Sequence, residues 1–244
     1  MDALSGDGAG LAAVRLGPPS RRLWAAEGPR AVFGLVELGW RWRELAHLPR
    51  GDGRPVLILP GLFNTDRSTI VLRRSLQALG YHAEGWGLGR NLGARSTGAE
   101  LERLLARVAA MAEDAGEPVT LIGISLGGIM ARLAAHRAPT KVREVITIAS
   151  PFAGDPRDTN VWRAFEWATG ERVGDPFLAA RSAEGMRPLP VPSTAIWSAT
   201  DGLVNGNICR IEGERCIEVR SSHLWVQHRV SVLTAVAEVL ASAR

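Results

Sequence analysis

The sequence predicts an α/β fold, in which a mostly parallel central sheet is flanked by helices. Two observations support this prediction. From residue 55 onward, short apolar runs rich in β-branched residues alternate with longer segments of helical periodicity, an alternation typical of parallel sheets covered on both faces. The segment 119–128 also places a serine between glycines where a predicted strand meets a predicted helix, as in a sharp strand-to-helix turn.

The chain has 244 residues and is 46% apolar, which is enough for one large α/β domain. We expect residues 1–50 to form an N-terminal arm and a helix that packs on the core. Residues 51–244 are expected to form the main domain, with residues 151–192 inserted as a small lid or cap.

The N terminus and the apolar runs bear on location. Residues 1–10 lack the basic start and apolar centre of a secretory signal, so we expect a cytoplasmic protein. No apolar run approaches the roughly 18 residues that span a bilayer, and no transmembrane segment is predicted.

The charges and the two cysteines predict neither a nucleic-acid partner nor a metal site. The net charge is +4, but Lys141 is the only lysine, and the arginines are interspersed with glutamates and aspartates. Cys209 and Cys216 are too few for a structural zinc site. We expect free thiols in a reducing cytosol, with a disulfide across a glycine-centred hairpin as the alternative.

A helix is predicted ahead of the main domain. Residues 32–47 show helical periodicity, with apolar residues at Val32, Leu35, Val36, Leu38, Trp42 and Leu45. We expect this apolar set to pack on the domain. The alternative is a flap, or a surface helix in peripheral contact with lipid.

Within the domain, breaks in the pattern separate the elements. Pro60 and Gly61 end the first strand, Gly80 ends the first helix, and Gly116 ends the second. The predicted strands are 56–59, 81–86, 119–124, 142–149, 194–198 and 217–220. The predicted helices are 68–79, 100–112, 126–136 and 226–243.

Residues 151–192 interrupt this alternation. They hold aromatic residues among glycines, prolines and charged residues, and they end in a proline-rich segment. We expect a lid that lines an apolar site. The predicted substrate-binding residues are Trp162, Phe165 and Trp167 of this segment and Phe63 from the loop after the first strand.

Three side chains have the chemistry and the positions of a nucleophile, an acid and a base. Ser125 lies between Gly123 and Gly127, which leave room for the turn. Asp201 and His223 each follow a predicted strand. Because the carboxyl ends of parallel strands share one rim of the sheet, we expect the three to converge there. A serine hydroxyl needs such a base, itself oriented by an acid, to act as a nucleophile.

Other residues compete for these roles. Asp155 and Asp158, which follow the preceding strand, are alternative acids. His228 is an alternative base, although the closing helix would carry it away from the rim. We interpret Asp66, near the loop after the first strand, as a helix cap.

Six short motifs follow one another along the domain: Leu59-Pro-Gly-Leu62, Gly85-Trp-Gly-Leu-Gly-Arg-Asn91, Gly123-Ile-Ser-Leu-Gly-Gly128, Ala149-Ser-Pro-Phe152, Thr200-Asp-Gly202 and Ser221-Ser-His223. With these motifs, the chain from about residue 55 onward resembles the esterases and lipases of the α/β-hydrolase fold. The resemblance implies that Ser125 is the nucleophile, Asp201 the acid and His223 the base. It also implies hydrolysis of a carboxylic ester through an acyl-enzyme, for which we expect no cofactor and no metal.

The oxyanion of a tetrahedral intermediate needs N–H donors that are already in place. We expect one from the backbone of Leu126, at the start of the helix after the serine. The other is expected from Leu62, with Phe63 as the next choice. Pro60 stands where many lipases have a histidine.

The glycine-rich segment 87–93 does not have the context of a nucleotide site. We interpret it as a loop beside the active site, with Arg90 and Asn91 anchoring it or touching the substrate.

The predicted substrate is a small-molecule ester, lipid-like or aromatic. One alternative is an acyltransferase or thioesterase on the same fold, which would use the same residues. The other is a non-catalytic member that binds an apolar ligand, and the intact set of Ser125, Asp201 and His223 argues against it. The sequence predicts no oligomeric state.

Overall fold

A computed structural model of the chain describes residues 16–242. Six strands form a sheet in the order β2-β1-β3-β4-β5-β6, and all neighbouring strands are parallel. The strands are β1 (Pro55–Leu59), β2 (His82–Gly85), β3 (Val119–Ile124), β4 (Val142–Ile148), β5 (Ser193–Trp197) and β6 (Arg215–Glu218). The predicted parallel α/β sheet is therefore confirmed, with the last strand starting two residues earlier than expected.

The helices alternate with these strands. They are α1 (Arg21–Ala25), α2 (Glu27–Arg41), α3 (Ile70–Leu79), α4 (Ala94–Thr97), α5 (Glu102–Ala115), α6 (Leu126–Arg137), α7 (Trp162–Thr169), α8 (Pro176–Met186) and α9 (Val230–Ser242). The closing helix was predicted from residue 226, but a short 3-10 helix, Val226–His228, precedes α9. The placement of His228 inside the last helix is therefore wrong.

The core has one apolar cluster on each face of the sheet. In β1, Val56 and Ile58 belong to the cluster under α3 and α9, whereas Leu57 and Leu59 belong to the cluster under α5 and α6. Successive side chains of a strand point to opposite faces, so a strand that is covered on both sides is apolar throughout. This explains why the central strands appear as unbroken apolar runs.

Helix α2 contacts the domain through a narrow stripe of Glu27, Ala31, Gly34 and Leu38, spaced at helical intervals. The stripe allows a close approach, since a Cβ at Gly34 would lie 2.7 Å from the Cδ atom of Arg229. Four of the apolar residues that were expected to pack on the domain are exposed: Val32, Leu35, Val36 and Trp42. Residues 1–15 of the predicted arm lie outside the described range.

The segment 151–192 contains α7, α8 and a short 3-10 helix, Pro156–Asp158. Its end is held by Arg132 of α6, which is buried and donates hydrogen bonds of 2.7 Å to the Gly185 carbonyl and 2.9 Å to the Arg187 carbonyl. The same guanidinium forms an ion pair of 2.9 Å with Glu214. One buried arginine thus connects the helix after β3, the segment 151–192 and the loop before β6.

Two further findings concern the rest of the chain. Cys209 and Cys216 are free thiols, as predicted. Among residues 16–242, no helix has both the length and the apolar character required to cross a bilayer.

Candidate active site

Ser125 lies on the sharp turn between β3 and α6. Its backbone has a φ of 51° and a ψ of −120°, a region that non-glycine residues rarely adopt and that carries strain. The N–H of Ser125 donates a hydrogen bond of 2.8 Å to the Ile148 carbonyl at the end of β4, and its carbonyl accepts one of 2.9 Å from Gly128. These bonds hold the serine in the strained conformation.

The glycines on either side of Ser125 are required by packing. A Cβ at Gly127 would lie 2.5 Å from the carbonyl oxygen of Leu59 and 2.7 Å from that of Pro60. A Cβ at Gly123 would overlap the Cα atom of Gly128. The helix after the turn can therefore lie against β1 and β3 only because both side chains are absent.

Ser125, His223 and Asp201 form a hydrogen-bonded series. The Oγ atom of Ser125 lies 3.1 Å from Nε2 of His223, and Nδ1 of His223 lies 2.7 Å from Oδ2 of Asp201. Because a carboxylate only accepts hydrogen bonds, Nδ1 carries the proton and Nε2 is left to accept from the serine hydroxyl. The predicted convergence of the three side chains at one rim of the sheet agrees with this geometry.

The carboxylate of Asp201 is oriented by the backbone that follows it. Its Oδ1 atom accepts hydrogen bonds of 2.8 Å from the N–H groups of Leu203 and Val204. The side chain is buried, and Oδ2 is directed to His223. The local turn thus presents one carboxylate oxygen to the imidazole.

The alternative acids have other partners. Asp155 caps the 3-10 helix that follows it by accepting a hydrogen bond from the Arg157 N–H. Asp158 accepts hydrogen bonds from the N–H groups of Leu16 and Gly17. Asp201 is the residue placed against His223.

The surroundings of His223 favour its protonated form. Burial disfavours a charged imidazole, but the negative charge of Asp201, its hydrogen bond and the charge of Glu27 outweigh burial, and the pKa of His223 is raised. The side chain is 11% exposed. A charge that develops on this imidazole is therefore compensated by two carboxylates.

The loop after β1 brings Leu62 to the same cleft as Ser125 and Leu126. The N–H of Leu126 belongs to the first turn of α6, where N–H groups lack intrahelical acceptors. Within residues 16–242, no acceptor binds the N–H of Leu62. The N–H of Phe63, the second choice for a donor, is occupied by the Asn91 carbonyl at 2.9 Å.

Asn91 holds this loop in place. Its buried side-chain amide donates a hydrogen bond of 2.7 Å to the Pro60 carbonyl, and its N–H donates one of 2.8 Å to the Asn64 carbonyl. The anchoring role predicted for Asn91 matches these contacts, whereas Arg90 is exposed.

Asp66 is not a helix cap, and that interpretation is wrong. Its carboxylate accepts hydrogen bonds from the N–H groups of Trp86 at 3.0 Å and Gly87 at 3.1 Å. The N-cap position of α3 is Thr69, whose side chain makes no capping bond. Asp66 thus ties the loop after β1 to the end of β2.

An apolar cleft opens at Ser125. It encloses about 860 Å³, including the part open to solvent, within the range of small-molecule sites. Most of its walls come from α6 and the segment 151–192. The apolar lining residues include Ile129, Leu133, Phe152, Trp162, Phe165 and Leu178.

Two of the four predicted substrate-binding residues do not line this cleft. Trp162 and Phe165 do, but Phe63 and Trp167 contact each other outside it, with ring centres 6.1 Å apart. Trp167 lies five positions after Trp162, which places it about 140° around the helix, and it is 80% exposed.

The cleft wall also contains an ion pair. Arg181 of α8 and Glu171 lie 2.6 Å apart, and both face the cleft. Arg181 is buried, and its Nε atom has no partner among the described residues. The mostly apolar cleft therefore contains one charged pair in its wall.

Two residues at this site were missed from the sequence. Glu27 of α2 accepts hydrogen bonds from the N–H groups of Gly202 and Leu224, and Arg30 donates to the carbonyls of Thr200 and Ser221. No local pattern relates the N-terminal segment to these two loops. The only signal is an acid and a base three positions apart on one helix, which is common on exposed helices.

Comparisons with known proteins agree on the architecture. A protein-family model described as the alpha/beta hydrolase fold matches residues 99–205. No curated protein matches the sequence.

Several solved structures are similar to this chain. One is a lipase of Bacillus licheniformis, 16% identical, with 79% of this chain and 94% of that chain covered and a TM-score of 0.58. A monoacylglycerol lipase of Paleococcus ferrophilus is 14% identical, with 81% and 97% covered and a TM-score of 0.55. The thioesterase domain from the curacin biosynthetic pathway is 14% identical, with 78% and 92% covered and a TM-score of 0.51. With its parallel sheet and this family match, the chain has the α/β-hydrolase fold.

Proposed function

We propose that this protein is a serine hydrolase that cleaves carboxylic esters through an acyl-enzyme. The observation that carries the proposal is the series of hydrogen bonds from Ser125 through His223 to Asp201, with Ser125 at an apolar cleft. Nucleophilic catalysis by serine depends on such a series. A protein that only binds an apolar ligand has no use for it.

In the first half of the proposed reaction, Ser125 Oγ attacks the ester carbonyl carbon while His223 Nε2 takes the hydroxyl proton. The carbonyl oxygen becomes an oxyanion, for which the N–H groups of Leu62 and Leu126 are the proposed donors. One such donor contributes about 3–4 kcal/mol to transition-state stabilisation in other enzymes. The bond to the leaving oxygen then breaks, and His223 gives its proton to the departing alcohol.

In the second half, water attacks the acyl carbon and His223 takes a proton from it. Collapse of the second tetrahedral intermediate releases the acid and returns a proton to Ser125 Oγ. Asp201 stays ionised throughout, because its role is to hold the imidazole in one tautomer and to stabilise the imidazolium.

We infer that the acyl group of the substrate occupies the apolar cleft, against Trp162 and Phe165, with the segment 151–192 as its cap. The apolar lining supports this assignment. An acyl chain that extends to Arg181 and Glu171 would meet a buried ion pair. We therefore expect turnover to fall for long alkyl chains.

The test is turnover of p-nitrophenyl acetate, butyrate, octanoate and palmitate by the purified protein. Ser125→Ala should abolish turnover and labelling by a fluorophosphonate. Ser182→Ala is the matched control, because this serine lines the same cleft but is not part of the series, and it should retain both. Absence of Ser125-dependent turnover on every ester, together with absence of labelling, would exclude the proposal.

A thioesterase or acyltransferase on the same fold would use the same residues. Parallel assays therefore include an acyl thioester and an added alcohol acceptor. Faster cleavage of the thioester would assign the thioesterase activity, and acyl transfer that outruns hydrolysis would assign the transferase activity.

A further inference from the structure

Glu27, near the start of α2, joins the loops that carry Asp201 and His223. One carboxylate oxygen accepts a hydrogen bond of 2.8 Å from the Gly202 N–H, and the other accepts one of 2.9 Å from the Leu224 N–H. Each donor is the residue directly after a member of the hydrogen-bonded series. Glu27 itself is 2% exposed, so both bonds lie away from competing water.

Arg30, one turn later on the same helix, makes a second set of bonds to the same loops. Its guanidinium donates to the Thr200 carbonyl at 2.5 Å, to the Thr200 hydroxyl at 2.8 Å and to the Ser221 carbonyl at 2.7 Å. Thr200 directly precedes Asp201, and Ser221 lies two residues before His223. Glu27 and Arg30 therefore hold each loop on both sides of its functional residue.

Gly202 leaves room for the contact between Glu27 and the loop of Asp201. A Cβ at Gly202 would overlap the Leu23 carbonyl and lie 2.9 Å from Cγ of Glu27. The absence of a side chain at position 202 thus lets the N-terminal segment reach the loop. Removing one partner of a buried hydrogen bond leaves the other group buried and unsatisfied, and this destabilises the folded protein.

We propose that Glu27 and Arg30 are positioning residues, which set the distance and orientation between Asp201 and His223 from outside the sheet. This inference rests on the proposed function, since the two residues touch neither substrate nor the reacting atoms. Catalytic geometry tolerates little displacement, and a shift of about 1 Å can lower the rate up to about a hundredfold.

The charge of Glu27 also acts on His223. Asp201 and Glu27 are the carboxylates that raise the pKa of His223 against burial. The positively charged groups nearby are Arg30, Arg220 and Arg229, which line a hollow together with Ser221 and Ser222. Loss of the Glu27 charge should therefore lower the pKa of His223.

The test compares Glu27→Gln with Glu37→Gln, a matched control on the same helix whose carboxylate pairs with Arg41 and Arg229. Glu27→Gln should lower kcat tenfold or more with KM little changed, and should move the acidic limb of kcat/KM to lower pH. Glu37→Gln should change neither. Glu27→Asp keeps the charge but shortens the side chain by one methylene group. The acidic limb of its kcat/KM profile should therefore stay near that of the wild type, whereas its kcat should be low, as in Glu27→Gln.

Two controls distinguish a failure of this inference from a failure of the proposed function. Ester turnover by the wild type, abolished by Ser125→Ala, establishes the proposed function independently. NMR titration of the His223 imidazole, with unfolding measured alongside, reports the link to Glu27 even if every ester fails as substrate. A wild-type kcat and an unmoved His223 titration in Glu27→Gln would overturn the inference, as would equal effects of Glu27→Gln and Glu37→Gln.

Discussion

The side-chain amide of Asn91 donates a hydrogen bond of 2.7 Å to the carbonyl oxygen of Pro60. This bond connects the loop after β2 to the loop after β1, which brings Leu62 to Ser125. The peptide of Phe63 is fixed by the backbone of the same asparagine. The position of the proposed oxyanion donor therefore depends on one buried polar side chain.

Asn91→Ala should leave the Pro60 carbonyl buried without a partner, at a cost of about 1–3 kcal/mol in the free energy of unfolding. Because the Leu62 N–H would no longer be held, kcat should fall more than KM rises. Urea denaturation and steady-state kinetics measure the two effects. Asn64→Ala, with an exposed side chain in the same loop, should change stability by less than about 0.5 kcal/mol. Equal effects of both variants would contradict the role of Asn91.

The raised pKa of His223 predicts the pH dependence of activity. The imidazole accepts the serine proton only when it is neutral, so kcat/KM should rise with pH and reach half its maximum above the ordinary histidine pKa of about 6.5. Asp201→Asn removes the main negative charge that offsets the effect of burial on the pKa of His223. This pKa should therefore fall, and the acidic limb of kcat/KM should move to lower pH. The kcat of this variant should fall roughly 10⁴-fold, the loss that the same substitution causes in a serine protease with this arrangement. A half-maximum below pH 6.5 in the wild type would be contrary to this prediction.

Gly127→Ala should prevent the turn at Ser125 from closing. The new methyl group would lie 2.5 Å from the Leu59 carbonyl oxygen, and backbone at that position cannot move without disturbing β1. We expect a loss of about 3 kcal/mol or more in the free energy of unfolding and no labelling by a fluorophosphonate. Gly39→Ala is the control, because a Cβ there meets no atom within 4 Å. It should be neutral or stabilising by up to about 1 kcal/mol.

Much of the sheet could be predicted because each strand is a local signal. Strands β1 and β3 lie between helices on both faces, so all their side chains are buried and their sequences are largely apolar. The sharp turn at Ser125 could be predicted for a similar reason, since it requires Gly123 and Gly127 within two residues of it.

The errors share a different cause. Trp167 was grouped with Trp162 by residue type, although its phase on α7 places it outside the cleft. Val32 and Val36 were expected to pack because they are apolar, whereas α2 meets the domain through a different stripe, which includes the charged Glu27 and the small Ala31 and Gly34. Glu27 was missed because its partners lie 175 and 197 positions away. Such contacts depend on the assembled fold and leave no periodic pattern in the sequence.

The ion pair of Arg132 and Glu214 predicts how the segment 151–192 is held. Arg132→Ala should destabilise the protein by about 3–5 kcal/mol, because it leaves a partly buried carboxylate without its partner. Hydrogen exchange in α8 should accelerate, since the bonds to Gly185 and Arg187 are lost as well. Lys141→Ala breaks an exposed pair with Glu113 and should cost less than about 1 kcal/mol. Unchanged exchange in α8 of Arg132→Ala would show that the segment is held by other contacts.

The contacts of α2 have a consequence for where the polypeptide can be cut. Arg43 and Arg50 are exposed in the connection between α2 and β1, where trypsin can reach them. A cut at either bond would leave all six strands and Ser125, Asp201 and His223 in one fragment. Glu27 and Arg30 would remain in the other. Separation of the fragments would then remove both residues that bond to the loops of Asp201 and His223, so the proposed activity should fall after such a cut and in a recombinant chain shortened to begin at β1.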